Sequence, residues 1–386
     1  MVKERKKVLI IGMVDSVHLG RWLKQFSVKE IDFYIFASKK YRNLHKLTKA
    51  LTMQNQHTKF MFLSPIKSKY FIGYIDFIYF EVLGKFLKKF TRSFFLTLLL
   101  KREKFDYIHA IEIQGAGYLL DDLDFKLIED QTVIVTNWGS DIFYFRKFPD
   151  HVLRIKSILS KADFYSAECQ RDYALAREFG FTGNDLPCIP NAGGFELEGI
   201  RLSNIPTSLR KIILIKGYGG TFGRAEVVIP LLPKILTTYP EFQVHIYSAT
   251  DDVLKMIETL PSEVRLKIKI TTNRDRITHS EMLFKFSNSR VHIGCSESDG
   301  ISTAFLESLA MGAYPIQTNT SCANEWVNLG AVASIVGLNQ NEIFDQILLA
   351  LKNDNLVDSA SEVNYKVAQK YLEYKVVQKK ALEYYK

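Results

Sequence analysis

The stretch Cys295-Ser-Glu-Ser-Asp299-Gly300-Ile301-Ser302-Thr303-Ala-Phe-Leu-Glu307-Ser-Leu-Ala-Met311-Gly312-Ala-Tyr-Pro315-Ile decides how this chain is read. Its approach, Arg290 to Gly294, predicts a short buried strand. A polar loop with acids and a glycine follows, then an apolar helix from about Thr303 to Met311 that Gly312 is suited to end. A strand–loop–helix corner of this kind presents backbone N–H groups and a positive helix end, where an anion can sit. Glu307 stands eight residues after Asp299 and one turn into the helix, so both carboxylates can face one pocket. The pair admits three readings: a general acid/base pair, ligands for sugar hydroxyls, or a loop acid beside a helix surface acid.

Working outward, Lys216-Gly217-Tyr-Gly219-Gly220-Thr-Phe-Gly223-Arg224 again follows an apolar run, Lys211 to Lys216. A helix is expected from near Arg224 toward Leu236. Four glycines let backbone approach a ligand, and two cations flank them, which suits a diphosphate. The bland alternative is a mobile glycine turn with two surface cations. The spacing is neither the dinucleotide fingerprint nor a Walker loop.

Further apolar runs alternate with helical segments. Val8–Gly12, Phe33–Ala37, Tyr107–Ile111 and Thr132–Thr136 precede a polar stretch around Ser203–Ser208, and Phe242–Tyr247 and Leu266–Ile270 come after it. This is the pattern of open parallel α/β sheets, which bind ligands beyond the carboxyl ends of their strands. The expectation is α/β with two doubly wound Rossmann-like domains facing across a cleft, 1–205 and 206–360. A helical tail over 361–386 would then cross back to the first domain.

Within the first half, His109 is either a structural strand residue or a site residue, and Asp141 is either a helix N-cap or a cleft residue. Asp122-Leu-Asp124 has the form of a metal-holding Asp-x-Asp but lies in a polar turn and reads as surface. No Cys/His cluster suggests zinc and no nucleophile elbow is present.

The segment 67–104 holds ten aromatics and nine Lys/Arg against three acids. It reads either as an amphipathic surface for anionic lipid or as domain helices with a solvated basic side. A net charge of +9 is consistent with anionic partners, while four unpaired-looking cysteines fit a reducing compartment. The apolar run at the N-terminus is too short for a signal-peptide core, and no window reaches the roughly 18–20 apolar residues of a spanning helix. Nucleic acid is disfavoured, because no recognition-helix or RNP-like motif accompanies the charge.

Asp299-Gly300, then Phe305-Leu306-Glu307-Ser-Leu-Ala310-Met311-Gly312-Ala-Tyr-Pro315, resembles the Glu-x7-Glu signature of retaining GT-B glycosyltransferases of family 4, with Asp in place of the first Glu. The form resembles the capsule, lipopolysaccharide and O-antigen type. Ser16-Val-His18-Leu-Gly20-Arg21-Trp22 is similar to that family's first loop and helix. Thr136-Asn-Trp-Gly139-Ser140-Asp141 is similar to its Thr-x-His-Gly-x-Asp segment, and Ile189-Pro190-Asn191-Ala192 to its Pro-Asn-Gly.

The resemblance implies a hexosyltransferase-type enzyme using a nucleotide-sugar donor as co-substrate, with no metal or other cofactor. Lys216, Arg224 and the backbone of Gly300, Ile301 and Ser302 would hold the diphosphate. Glu307 would hold the ribose hydroxyls, and Asp299 would contact the transferred sugar. His109 would bind the sugar or stabilise its developing charge, with His18, Gly20 and Asp141 as cleft residues. The acceptor would be lipid-linked or a surface polysaccharide, and the location cytoplasmic, peripheral on the inner face of the cytoplasmic membrane. A nucleotide-sugar epimerase or a phosphorylase on the same fold is the alternative, and a non-catalytic polyanion-binding module a third.

Overall fold

A computed structural model describes residues 5–26, 31–54, 58–60, 92–197, 205–275 and 277–386. The chain forms two compact units, Met1–Gly193 together with Val377–Lys386, and Gly194–Val376. The first carries β1 (Lys6–Gly12), β2 (Ile31–Ala37), β3 (Thr58–Phe60), β4 (Tyr107–Ile111), β5 (Thr132–Thr136), β6 (Phe164–Ser166) and β7 (Asn184–Asp185). They form one sheet in the order β3-β2-β1-β4-β5-β6-β7. The second carries β8 (Ile212–Lys216), β9 (Gln243–Ala249), β10 (Ile268–Thr272), β11 (Val291–Gly294), β12 (Tyr314–Thr318) and β13 (Ser334–Val336). Their order is β10-β9-β8-β11-β12-β13. Among the described residues every pairing between these strands is parallel.

Apolar runs become central strands because each sheet is covered on both faces. Val8, Leu9, Ile10 and Ile11 are all fully buried. Leu9 and Ile11 join one core cluster while Val8 and Ile10 join another, as a period of two requires. Around β8 the same split sends Ile213 and Ile215 to one side and Leu214 to the other. Each such side chain contributes about 1.5–3 kcal/mol by leaving water.

In both sheets the chain winds outward from the first strand, then returns to its other side. The crossover points are β1/β4 and β8/β11. Loops leave the carboxyl ends of those pairs in opposite directions, and a ligand site is favoured between them.

The chain passes from the first unit to the second at Gly193/Gly194, before the expected boundary at 205/206. Phe195 already belongs to the second unit, where its N–H donates to the Leu372 carbonyl (2.7 Å) and its carbonyl accepts from Tyr374 N–H (2.8 Å). The tail is two helices, Asp354–Leu372 and Tyr374–Ala381, and Tyr384 and Tyr385 are buried in the first unit's core. Among the described residues no helix is long and apolar enough to cross a membrane.

The helix Thr303–Met311 forms where the apolar pattern places it, and Gly312 ends it at φ 77°. That conformation costs an L-residue about 1–2 kcal/mol, and a Cβ there would press on the Ser361 hydroxyl. Gly312→Ala should therefore lower the unfolding free energy by about 1–2 kcal/mol. Urea denaturation of the two proteins checks it, and equal midpoints would contradict the strain.

Candidate functional site

The second unit's site is assembled at the β8/β11 crossover. Ile215 is in register with Ile293, so Lys216 and Gly294 leave the sheet at the same level. The two loops that follow are stitched together. Gly223 and Ser296 form an antiparallel bridge, Arg224 N–H donates to Cys295 O (3.0 Å), and Glu297 N–H donates to Phe222 O (2.7 Å). The loop after β12 joins them through Ser296 N–H to Thr318 Oγ1 (2.9 Å) and Asp299 N–H to Thr320 O (3.2 Å). Three neighbouring strand ends thus share one laced rim.

The glycine loop is shaped by its own domain more than by room for a ligand. A Cβ on Gly223 would collide with the Tyr218 carbonyl, and Gly220 sits at φ 84°. The expected helix after Arg224 is replaced by two short 3-10 turns, Ala225–Val227 and Ile229–Leu231, and the α-helix begins only at Leu232. Pro230 and Pro233 lack the N–H groups that a continuous helix from Arg224 would need. Arg224 is accordingly not at the start of an α-helix. Its guanidinium donates to the Gly220 and Gly223 carbonyls and lies 3.6 Å from Glu226 and 3.5 Å from Glu297. It ties the two loops together. Lys216 is half-buried at the end of β8, 5.8 Å from the Tyr218 ring centroid, with no ion pair among the described residues.

Across the rim, Ser302 caps the Thr303–Met311 helix by accepting from Phe305 N–H (3.4 Å). Gly300, Ile301 and Ser302 are buried, with Ile301 packed in the core beside the helix. Asp299 is half-buried and turns one carboxylate oxygen onto Gly300 N–H (2.9 Å). Glu307 is buried on the helix, and its Oε1 is 2.8 Å from Nε2 of His279. His279 escaped the sequence reading. The signal was present as Thr278-His-Ser-Glu281, a capping box that starts the helix His279–Ser287. Beneath the rim, burial pushes the Cys295 thiol up to about 12 and His292 down to about 3, with Lys216 adding to the second effect. Both groups are neutral packing.

In the first unit the predicted residues separate into different roles. His109 sits in the core of the first unit. It lies mid-strand in β4, fully buried, with Nδ1 2.6 Å from the Tyr385 hydroxyl and Nε2 2.5 Å from Thr136 Oγ1. Burial lowers its pKa to about 3, so the ring is neutral. The strand runs two residues past it, which is why its side chain turns into the core and not to the rim. Gly20 faces Leu47, whose Cβ would be 3.0 Å from an added Cβ, so this glycine permits close packing of two helices.

Asp141 caps no α-helix. Its Oδ2 accepts from Ile113 N–H (2.8 Å) and Trp138 N–H (2.9 Å), joining the loops after β4 and β5. Burial, reinforced by Glu112, raises its pKa. Glu112 was not predicted. It holds φ 85° at the end of β4, and its carboxylate accepts from Gly115 and Ala116 N–H and pairs with Lys39 at 3.2 Å. Half-buried His18 meets the Trp138 ring at 5.8 Å, so these two come together beyond the ends of β1 and β5. In the Asp-x-Asp turn, Asp122 pairs with Arg154 (2.5 Å) and Asp124 caps a turn at Lys126. Within 67–104, residues 67–91 lie outside those described, and 92–102 form a helix.

Residues 7–169 match the family model described as "Glycosyl transferase 4-like". Among solved structures, sucrose-phosphate synthase from Thermosynechococcus elongatus superposes with a TM-score of 0.71 at 15% identity, covering 99% of this chain and 98% of that one. Anabaena HepE in complex with UDP and glucose gives 0.68 at 11% identity over 98% and 99%. S. aureus TarM, in a complex containing UDP, gives 0.69 at 11% identity over 98% and 99%. The chain has the GT-B fold. No curated protein sequence matches it. The matched segment and the shared fold together support a glycosyltransferase.

The neutral His109 makes a pH prediction. Its folded pKa lies below the unfolded value of about 6.5, so the unfolded chain binds the extra proton below that pH. The contribution is complete above about 6.5 and lost as pH falls, by about 1.4 kcal/mol per unit. The stability gap between wild type and His109→Gln should therefore shrink by about 2 kcal/mol from pH 7 to pH 5 in urea titrations. A gap that does not change with pH would contradict a neutral core histidine.

Proposed function

We propose that this protein is a retaining glycosyltransferase that moves a sugar from a nucleotide-sugar donor to a lipid-linked or surface-polysaccharide acceptor. The observation that supports the reading is the laced rim, which ties the loops after β8, β11 and β12 together beside Lys216 and Asp299, ahead of the capped helix that carries Glu307. Cation and helix start suit a diphosphate, and carboxylates suit hydroxyl groups. Neighbours of the same fold were solved with UDP or UDP-glucose, which makes UDP-sugars the first donors to test.

In this reading Lys216 and the backbone from Gly300 to Ser302 hold the diphosphate. Arg224 keeps the two loops in register beside it. Glu307 takes the ribose hydroxyls and Asp299 a hydroxyl of the transferred sugar. As the glycosidic bond breaks, negative charge grows on the departing diphosphate, where the lysine and the helix start stabilise it most. That diphosphate then accepts the proton of the acceptor hydroxyl on the same face of the sugar, so the configuration is retained without a protein nucleophile. No metal is assigned a role.

The basic, aromatic composition of 67–104 supports a lipid-bearing acceptor, and its described helix sets the exposed Phe94 seven residues before Lys101, on one face.

A thermal-shift panel of UDP-, GDP-, ADP-, CMP- and dTDP-sugars tests the donor site. One base class should stabilise the wild type, by about 2.7 kcal/mol at a hundredfold excess over Kd. Glu307→Ala should lose most of that gain. Lys216→Ala should weaken the nucleoside diphosphate about tenfold while leaving the bare nucleoside unchanged. Equal stabilisation of wild type and both variants would remove the rim from donor binding.

A further inference from the structure

We propose that His279 is a positioning residue that holds Glu307 in the one orientation able to grip a ribose, and so sets the preference for ribonucleotides. The proposal rests on the donor-site reading above, which it deepens.

Glu307 is nearly closed off, with its side chain 9% exposed, whereas His279 is 42% exposed at the outer edge. The imidazole Nε2 lies 2.8 Å from Oε1, and no described residue donates to Oε2. One carboxylate oxygen is therefore committed and the other is left for a ligand. A carboxylate on a flexible stem would otherwise sample several rotamers, each placing that second oxygen elsewhere.

The histidine is itself fixed from both sides. Its helix begins with a complete capping box. Thr278 Oγ1 accepts from Glu281 N–H (3.2 Å), and the Glu281 carboxylate accepts from Thr278 N–H (2.6 Å). On the other side the Phe195 ring lies 6.5 Å from the imidazole at 30°. Phe195 is buried and bonded through its backbone to Leu372 and Tyr374. The cap sets the backbone at His279, and the Phe195 ring and the Glu307 carboxylate flank its imidazole. Below Glu307, burial and the glutamate's charge hold the Tyr247 phenol neutral. The Tyr247 hydroxyl is engaged by His292 Nε2 at 3.1 Å, so among the described residues the His279 imidazole is the polar group hydrogen-bonded to this carboxylate.

Removing the histidine should leave Glu307 in place but its second oxygen ill-directed. A merely structural role would lower the folded fraction without altering the ratio of two nucleotide affinities. The test is calorimetry with UDP and GDP and their 2′-deoxy and 3′-deoxy counterparts on wild type, His279→Ala, His279→Gln and Glu307→Ala. Wild type should prefer the ribonucleotide of its base class by about tenfold, the worth of one hydrogen bond to a charged group. His279→Ala should reduce that ratio to about two- or threefold. His279→Gln, whose amide can donate from a similar place, should restore most of it, and Glu307→Ala should abolish it. A His279→Ala ratio equal to wild type, with the ratio lost in Glu307→Ala, would overturn the positioning role while leaving the donor site intact. A ratio that survives Glu307→Ala would overturn both.

Discussion

The second unit depends on the adjacency of β8 and β11, strands whose sequence positions are separated by two further strands. Because both run parallel and stop at the same level, the loops that follow can exchange backbone hydrogen bonds instead of being solvated. The Gly223–Ser296 bridge and the bond from Glu297 to Phe222 are the result. A glycine at 223 is the steric condition for this, since any side chain would meet the Tyr218 carbonyl. Arg224 then neutralises acids from both loops. The rim is therefore set by the sheet beneath it.

Under the proposed function, this arrangement bears on catalysis. Groups that must stabilise a departing diphosphate are most effective when already in place, because no reorganisation is then charged to the transition state. Lys216 at a strand end, the capped helix and the imidazole-anchored carboxylate are all held by regular structure, not by loop tips. The first unit is similar in kind. Its crossover at β1/β4 carries a backbone-capping Glu112 at an unfavourable φ, secured by Lys39 and by the Asp141 turn.

Much of this was legible in the sequence, for identifiable reasons. Tyr107–Ile111, Thr132–Thr136 and Thr303–Met311 were read to their ends because each is an apolar run bounded by turn residues. β6, β7 and β13 went unread, being only two or three residues long and held by register with a neighbour. β12 was hidden by Pro315, which pairs with His292 in the middle of the sheet. The anion-ready corner and its acids were visible. The roles of His109 and Arg224 were not, because they depend on how far a strand continues and whether a helix starts. The His279–Glu307 pair spans 28 residues and only the fold brings it together.

Hydrogen–deuterium exchange of the full chain with and without UDP, then GDP, bears most directly on the central claim, that a nucleoside diphosphate seats on the laced rim of the second unit. The account predicts slowed exchange in 216–224 and 295–307 with one of the two nucleotides. Protection confined to other segments, or affinity without protection of either loop, would contradict it.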